Sequence, residues 1–144
     1  MDEPTMRFLD DLRAAEAASA EVLHAWVGVC VADGLRGGLR AIAAREATHA
    51  ELLGERLREL GAPCTAAVPE PVRVTALEHF GSPGVRDEDK LARLLARYPD
   101  DAVATRPITV LLEHLDHDAE TRELLRLVAE GEAATFAWLR AYRG

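Results

Sequence analysis

Cysteine is nearly absent: Cys30 and Cys64 are the only two in 144 residues. Two thiols cannot build a disulfide framework or a four-cysteine metal site, and both sit beside apolar or small residues, so both are expected to be reduced and structural. Positive charge is also short. Seventeen basic residues face 25 acidic ones, for a net charge of -8. The deficit runs through both halves, with 12 acidic against 7 basic residues in positions 1–72 and 13 against 10 in the rest. No basic footprint remains for nucleic acid or an anionic membrane. No apolar run approaches the roughly 20 residues of a membrane-spanning helix. The acidic start Met1-Asp2-Glu3-Pro4 lacks the layout of a secretory signal, so the chain is expected in the cytoplasm. A Gly-rich phosphate loop, a Gly-x-Ser-x-Gly elbow and a Cys-x-x-Cys pair are all missing, which leaves nucleotide use, hydrolase chemistry and thiol redox without support. Lysine occurs once, as Lys90, against 16 arginines; a GC-rich genome accounts for that skew.

What the chain does have is apolar residues at 49% and charged residues at 29%, the balance of one globular domain with a real core. β-Branched and aromatic residues never fall into a period of two. Ala, Leu, Glu and Arg instead dominate stretches whose apolar positions recur every three or four residues, which predicts an all-α fold. The spacing predicts a hairpin over 4–60, with a first helix from Pro4 to Ala32 and a break at Asp33-Gly34. A second helix then runs from Leu35 to the Gly61-Ala62-Pro63 stop. A proline-rich crossover spans 61–71. Broken helices fill 72–115, near Val72–Phe80, Asp87–Tyr98 and Pro107–Leu115, with turns at Gly81–Gly84 and Pro99–Asp101. A last helix covers 118–142, capped by Asp116 or Asp118.

Some polar residues stand where a core residue belongs. The apolar stripe of the second helix passes through Leu39, Ile42, Leu53, Leu57 and Leu60, and its middle positions are Glu46 and His49. A carboxylate there is costly unless it is paired or holds a metal. Glu51, Glu55 and Glu59 alternate with Arg56 and Arg58 on the other side and read as a solvated face. The first helix repeats the anomaly, with Glu16 inside the stripe Leu9, Leu12, Ala20, Leu23, Val27, Cys30. If residues whose numbers sum to roughly 65 face each other across the hairpin, Leu12 meets Leu53 and Glu16 meets His49. Glu21 also satisfies the height condition with Glu46 and opens a second Glu-x-x-His with His24, on a small-residue face. Both Glu16 and Glu21 stay open, Glu16 ahead. On the last helix the stripe Leu125, Val128, Leu139, Tyr142 has Glu132 and Thr135 as its inward pair. Trp26 and Trp138 fit the seams and are expected in the core.

A lone Glu followed about 30 residues later by Glu-x-x-His on its hairpin partner, with a second such layout downstream, resembles the ligand pattern of ferritin-like di-iron carboxylate bundles. Arg45-Glu46-Ala47-Thr48-His49-Ala50 followed by Leu57-Arg58-Glu59-Leu60-Gly61 is similar to the second helix of rubrerythrin-like proteins. The resemblance covers residues 5–60 well and 61–144 weakly. It implies an antiparallel four-helix bundle with a fragmented third helix. Glu16 or Glu21 would be a terminal ligand, Glu46 a bridging one, His49 the imidazole of the first iron and Glu132 a second bridging carboxylate. Two members of the set are missing: Thr135 stands in a histidine's place, and the third segment offers only Glu88, Glu113 being off its stripe. The implied function is a metal protein with a reduced or mononuclear iron site, of a kind that binds iron and, if redox-active, activates oxygen or peroxide. Iron storage is disfavoured. The competing reading is a metal-free bundle that serves as a structural or protein-interaction module, with Glu132 satisfied by Thr135 or Arg126. A homo-dimer or other homo-oligomer is expected. His114 and His117 flank the turn into the last helix and read as solvated.

Overall fold

The computed structural model describes residues 1–143, apart from the side chain of Asp101. The described residues hold six helices and no strand, α1 (Glu3–Val27), α2 (Asp33–Glu59), α3 (Glu70–Phe80), α4 (Asp87–Arg97), α5 (Asp101–Leu112) and α6 (Ala119–Arg143). The all-α class follows directly. Two compact units make up the chain, Met1–Lys90 and Leu91–Gly144, and the division falls inside α4.

In the first unit, Asp2 caps α1 by accepting from the Thr5 amide at 2.8 Å, and Pro4 occupies the first turn, where its missing N–H costs nothing. The helix ends at Val27, five residues before the Ala32 expected from periodicity. The cause lies far away in sequence. The Asp87 carboxylate accepts from the amides of Val31 at 2.9 Å and Ala32 at 3.2 Å, and Arg36 donates to the Cys30 carbonyl at 2.7 Å. These bonds satisfy the backbone of 28–32 outside a helix. Asp33 and Gly34, the expected break, instead form the first turn of α2.

α1 and α2 pack as an antiparallel hairpin. Leu9, Leu23, Trp26 and Val27 of α1 and Leu35, Leu39, Ile42, Leu53 and Leu57 of α2 are each at most 5% exposed. Burying one such side chain contributes about 1.5–3 kcal/mol. Gly61 stops α2 in the left-handed region, at φ 75°, which an L side chain rarely adopts. The connection that follows is pinned by a buried carboxylate. Asp10 accepts from the amides of Thr65 at 2.9 Å and Ala66 at 2.7 Å, while Arg13 donates to the Ala66 carbonyl at 2.9 Å. α3 begins two residues earlier than its apolar pattern, with Pro71 in its first turn. Arg73 meets Glu21 and Phe80 meets Trp26, so α3 runs parallel to α1. A Cβ at Gly81 would stand 3.4 Å from the Ala25 Cβ and 2.7 Å from the Leu77 carbonyl oxygen, so glycine is required there.

The second unit holds most of α4 with α5 and α6, and α5 packs on α6. α5 starts at Asp101 rather than Pro107, because Asp100 caps it through the Val103 amide at 2.9 Å. Pro107 stands inside the helix, where it removes one hydrogen bond. Pro99-Asp100-Asp101 is thus a helix start as well as a turn. Asp118, and not Asp116, caps α6 through the Thr121 amide and hydroxyl. Arg122 ties α6 to the end of α5 through the Leu112 carbonyl, and Arg140 donates to the Tyr98 carbonyl at 2.8 Å. Leu125, Val128 and Leu139 are buried as the stripe predicts. Trp138, expected in the core, is 36% exposed, and Tyr142 at the end of the stripe is 43% exposed. Leu139 stays buried; Trp138 lies one residue off the stripe, about 100° round the helix from it, and Tyr142 is in the last turn of α6.

Candidate metal centre

Glu16 on α1 and Glu46 and His49 on α2 lie in the middle of the hairpin seam. Glu16 and Glu46 are each 4% exposed and His49 is 9% exposed. The geometry across the hairpin follows the pairing rule, with His49 Nδ1 3.7 Å from Glu16 Oε2. Those two atoms and Glu46 Oε2 are sealed from solvent. Glu46 and His49, three residues apart on one helix, share a face by helical geometry. The seam closes on either side with apolar residues, Leu23 and Ile42 in one direction and Leu9 and Leu53 in the other. In such surroundings charge interactions are stronger than in water, and so is the cost of an uncompensated charge.

Glu21 is elsewhere. It is exposed on the outer side of α1, held by Arg73 of α3 through bonds of 2.7 and 3.0 Å. Those bonds to the guanidinium hold its carboxyl below the usual range. His24 is exposed too. On α6 Glu132 is half-buried, with Thr135 buried one turn on. Arg126, weighed as a partner for Glu132, instead pairs with Glu123 and Glu130 on the exposed side of α6. Glu88, the nearest candidate from the broken segment, is exposed and paired with Arg86 at 2.8 Å. Three before Leu91 and seven before Leu95, it shares their phase, but it lies in the first turn of α4 and stays in solvent. Glu113, His114 and His117 are exposed, as expected.

Three polar residues near the hairpin were invisible as a set. Asp10 and Asp87 are acceptors for loop amides 55 residues or more away, and Asp87 also takes the Trp26 indole N–H at 3.0 Å. Burial pushes both carboxyls up, but the amide and side-chain donors outweigh it and hold both below the ordinary aspartate value. Lys90 is fully buried and donates to the Ser82 carbonyl at 2.8 Å. Burial lowers its ammonium below the ordinary lysine value, and nearby Asp87 partly counters that. Among the described residues, Lys90 is the basic side chain that is wholly enclosed, and its compact ammonium fits a single carbonyl where a guanidinium fork would leave donors over. Of these, only Asp87 carried a local signal, as the acidic start of a helix.

No helix among the described residues is long and apolar enough to cross a membrane. No family model, curated protein or solved structure matches the chain.

Proposed function

We propose that this chain is a metal-binding protein of the ferritin-like class, whose first hairpin holds a divalent ion, iron by preference, between Glu16, Glu46 and His49. The observation that carries the reading is the buried placement of two carboxylates and one imidazole in a seam otherwise built from leucine and isoleucine. Leucine at all three positions would give a more stable bundle, so ionisable groups retained there point to a role beyond packing. The donor set fits the ion: two hard oxygen donors and one borderline nitrogen suit a first-row divalent metal, and a single ion needs only three or four protein ligands. When bound, iron would supply electron-transfer chemistry. The chain's residues would hold it in a dry, fixed environment, with Glu16 and His49 brought together by the hairpin register. Glu132 enters the proposal on the sequence pattern alone, as a carboxylate whose loss is to be compared with that of Glu46.

A second reading is a metal-free bundle that keeps this seam as a polar network. The exposure of Glu88 and Glu113 and the threonine at 135 favour it, because they leave a two-iron ligand set incomplete. Elemental mass spectrometry separates the two readings, on protein purified without chelator or histidine tag and then reloaded with Fe(II) under anaerobic conditions. About one ion per chain, absent from His49→Leu, supports the single-ion site. No ion under either condition leaves the metal-free network.

A further inference from the structure

Resting on the metal reading above, we infer that the ion enters and leaves this site only through transient opening of the fold, so that the chain's own motion sets the rates of loading and release. The donor atoms carry the inference. Glu16 Oε2, Glu46 Oε2 and His49 Nδ1 are sealed from solvent, and along the seam Leu23 and Ile42 on one side and Leu9 and Leu53 on the other are each at most 5% exposed. Side chains in such an interior pack as closely as in an organic crystal, and a divalent ion stripped of water has no partners among leucine and isoleucine. The gap between the donors also excludes a hydrated ion. His49 Nδ1 and Glu16 Oε2 are 3.7 Å apart, and an ion with waters at about 2.1 Å on either side is wider than that. Water must therefore be exchanged for protein donors while those donors are exposed.

Such exposure is rare because the chain is tied at both ends of α2. Asp87 holds the loop before it through the Val31 and Ala32 amides, and Asp10 holds the connection after it through the Thr65 and Ala66 amides. Opening against these bonds is a local unfolding event, with a free energy between that of a fraying end and that of global unfolding. An ion bound at the seam is thus trapped by kinetics as well as by affinity, and the natural moment of capture is folding itself, when the donors have not yet been buried.

Uptake measured on the full chain by two routes tests this. In one, Fe(II) is mixed anaerobically with native metal-free protein, free ion is removed at set times and iron is measured by elemental mass spectrometry. In the other, the chain is refolded from urea with Fe(II) present. The refolded sample is expected to be loaded as it folds, and the native sample to reach the same content at least about tenfold more slowly, at a rate that levels off as Fe(II) is raised. Release into a colorimetric ferrous chelator is expected to be independent of chelator concentration and to quicken in urea below the unfolding transition, because opening exposes buried surface. Ile42→Ala, which thins the apolar layer one turn before Glu46 and leaves every donor in place, is expected to speed uptake and release by a common factor with the dissociation constant unchanged. Native protein that loads as fast as refolding protein, release that quickens with chelator, or Ile42→Ala with wild-type rates would overturn the inference while leaving the site. No ion bound by either route would remove the site and the inference together.

Discussion

The two compact units hold their helices by different means. In Met1–Lys90, buried polar groups reach across long stretches of sequence: Asp10 to Thr65 and Ala66, Asp87 to Trp26, Val31 and Ala32, and Glu16 to His49. In Leu91–Gly144 the polar bonds described include local caps, Asp100 to Val103 and Asp118 to Thr121, and one longer reach, Arg140 to Tyr98. Local caps define where helices start without fixing what they pack on. Long-range buried bonds do fix it, and each leaves orphaned donors when broken. The first unit is therefore the one where breaking a single long-range polar bond is costly.

That contrast is broken most severely at Asp87. Asp87→Ala removes the acceptor of one buried indole N–H and two loop amides, and it is expected to cost about 3–5 kcal/mol, read as a fall in the urea midpoint by circular dichroism. Replacing Glu16, Glu46 and His49 together by leucine in metal-free protein should act in the opposite direction, raising stability by about 1–4 kcal/mol as apolar side chains replace the whole buried polar set. A loss would instead mark the three as a satisfied structural network. Lys90→Arg, conservative in charge, is expected to cost about 1–3 kcal/mol because a larger cation must enter a filled, fully enclosed site. Trp138→Ala, on the exposed side of the second unit, should stay within about 0.5 kcal/mol; a larger loss would mean that the ring supports the fold.

Acid sharpens the same comparison. Asp10 and Asp87 have carboxyls held below their ordinary value in the folded chain. Their contribution is complete above the unfolded aspartate value and is lost as pH falls through the lowered folded value. The expected outcome is a plateau near neutrality, a decline at acid pH, and a shallower decline in Asp10→Asn and Asp87→Asn. An unchanged slope in both variants would assign acid sensitivity elsewhere.

Glu16, Glu46 and His49 were legible in the sequence because helical periodicity is local: a charged residue in an apolar stripe is visible from its neighbours within two turns. Even the pairing of Glu16 with His49 followed, since a short loop fixes the register of a hairpin. Residues 28–32 were not legible. Their sequence continues the helical pattern, and only Asp87, more than fifty residues on, draws them out of it. The burial of Lys90 depends likewise on the turn that supplies the Ser82 carbonyl. Glu21 could be separated from Glu16 only once Arg73 was placed beside it. The start of α5 was hidden because Pro107 is the strongest local breaker, while the residue that caps the helix is a common aspartate in a run of two. Trp138 misled because a large aromatic next to the buried Leu139 reads as core, although it sits about 100° round the helix from the stripe.

The central claim, that the hairpin seam is built around a metal ion, is tested most directly by urea unfolding of wild type and Glu46→Leu, each with chelator and with excess Fe(II) under anaerobic conditions. With Fe(II) at a hundredfold excess over its dissociation constant, the wild type should gain about 2.7 kcal/mol over its value with chelator and Glu46→Leu nothing. A wild type whose midpoint does not move with Fe(II), or a Glu46→Leu variant that gains as much, would contradict the claim.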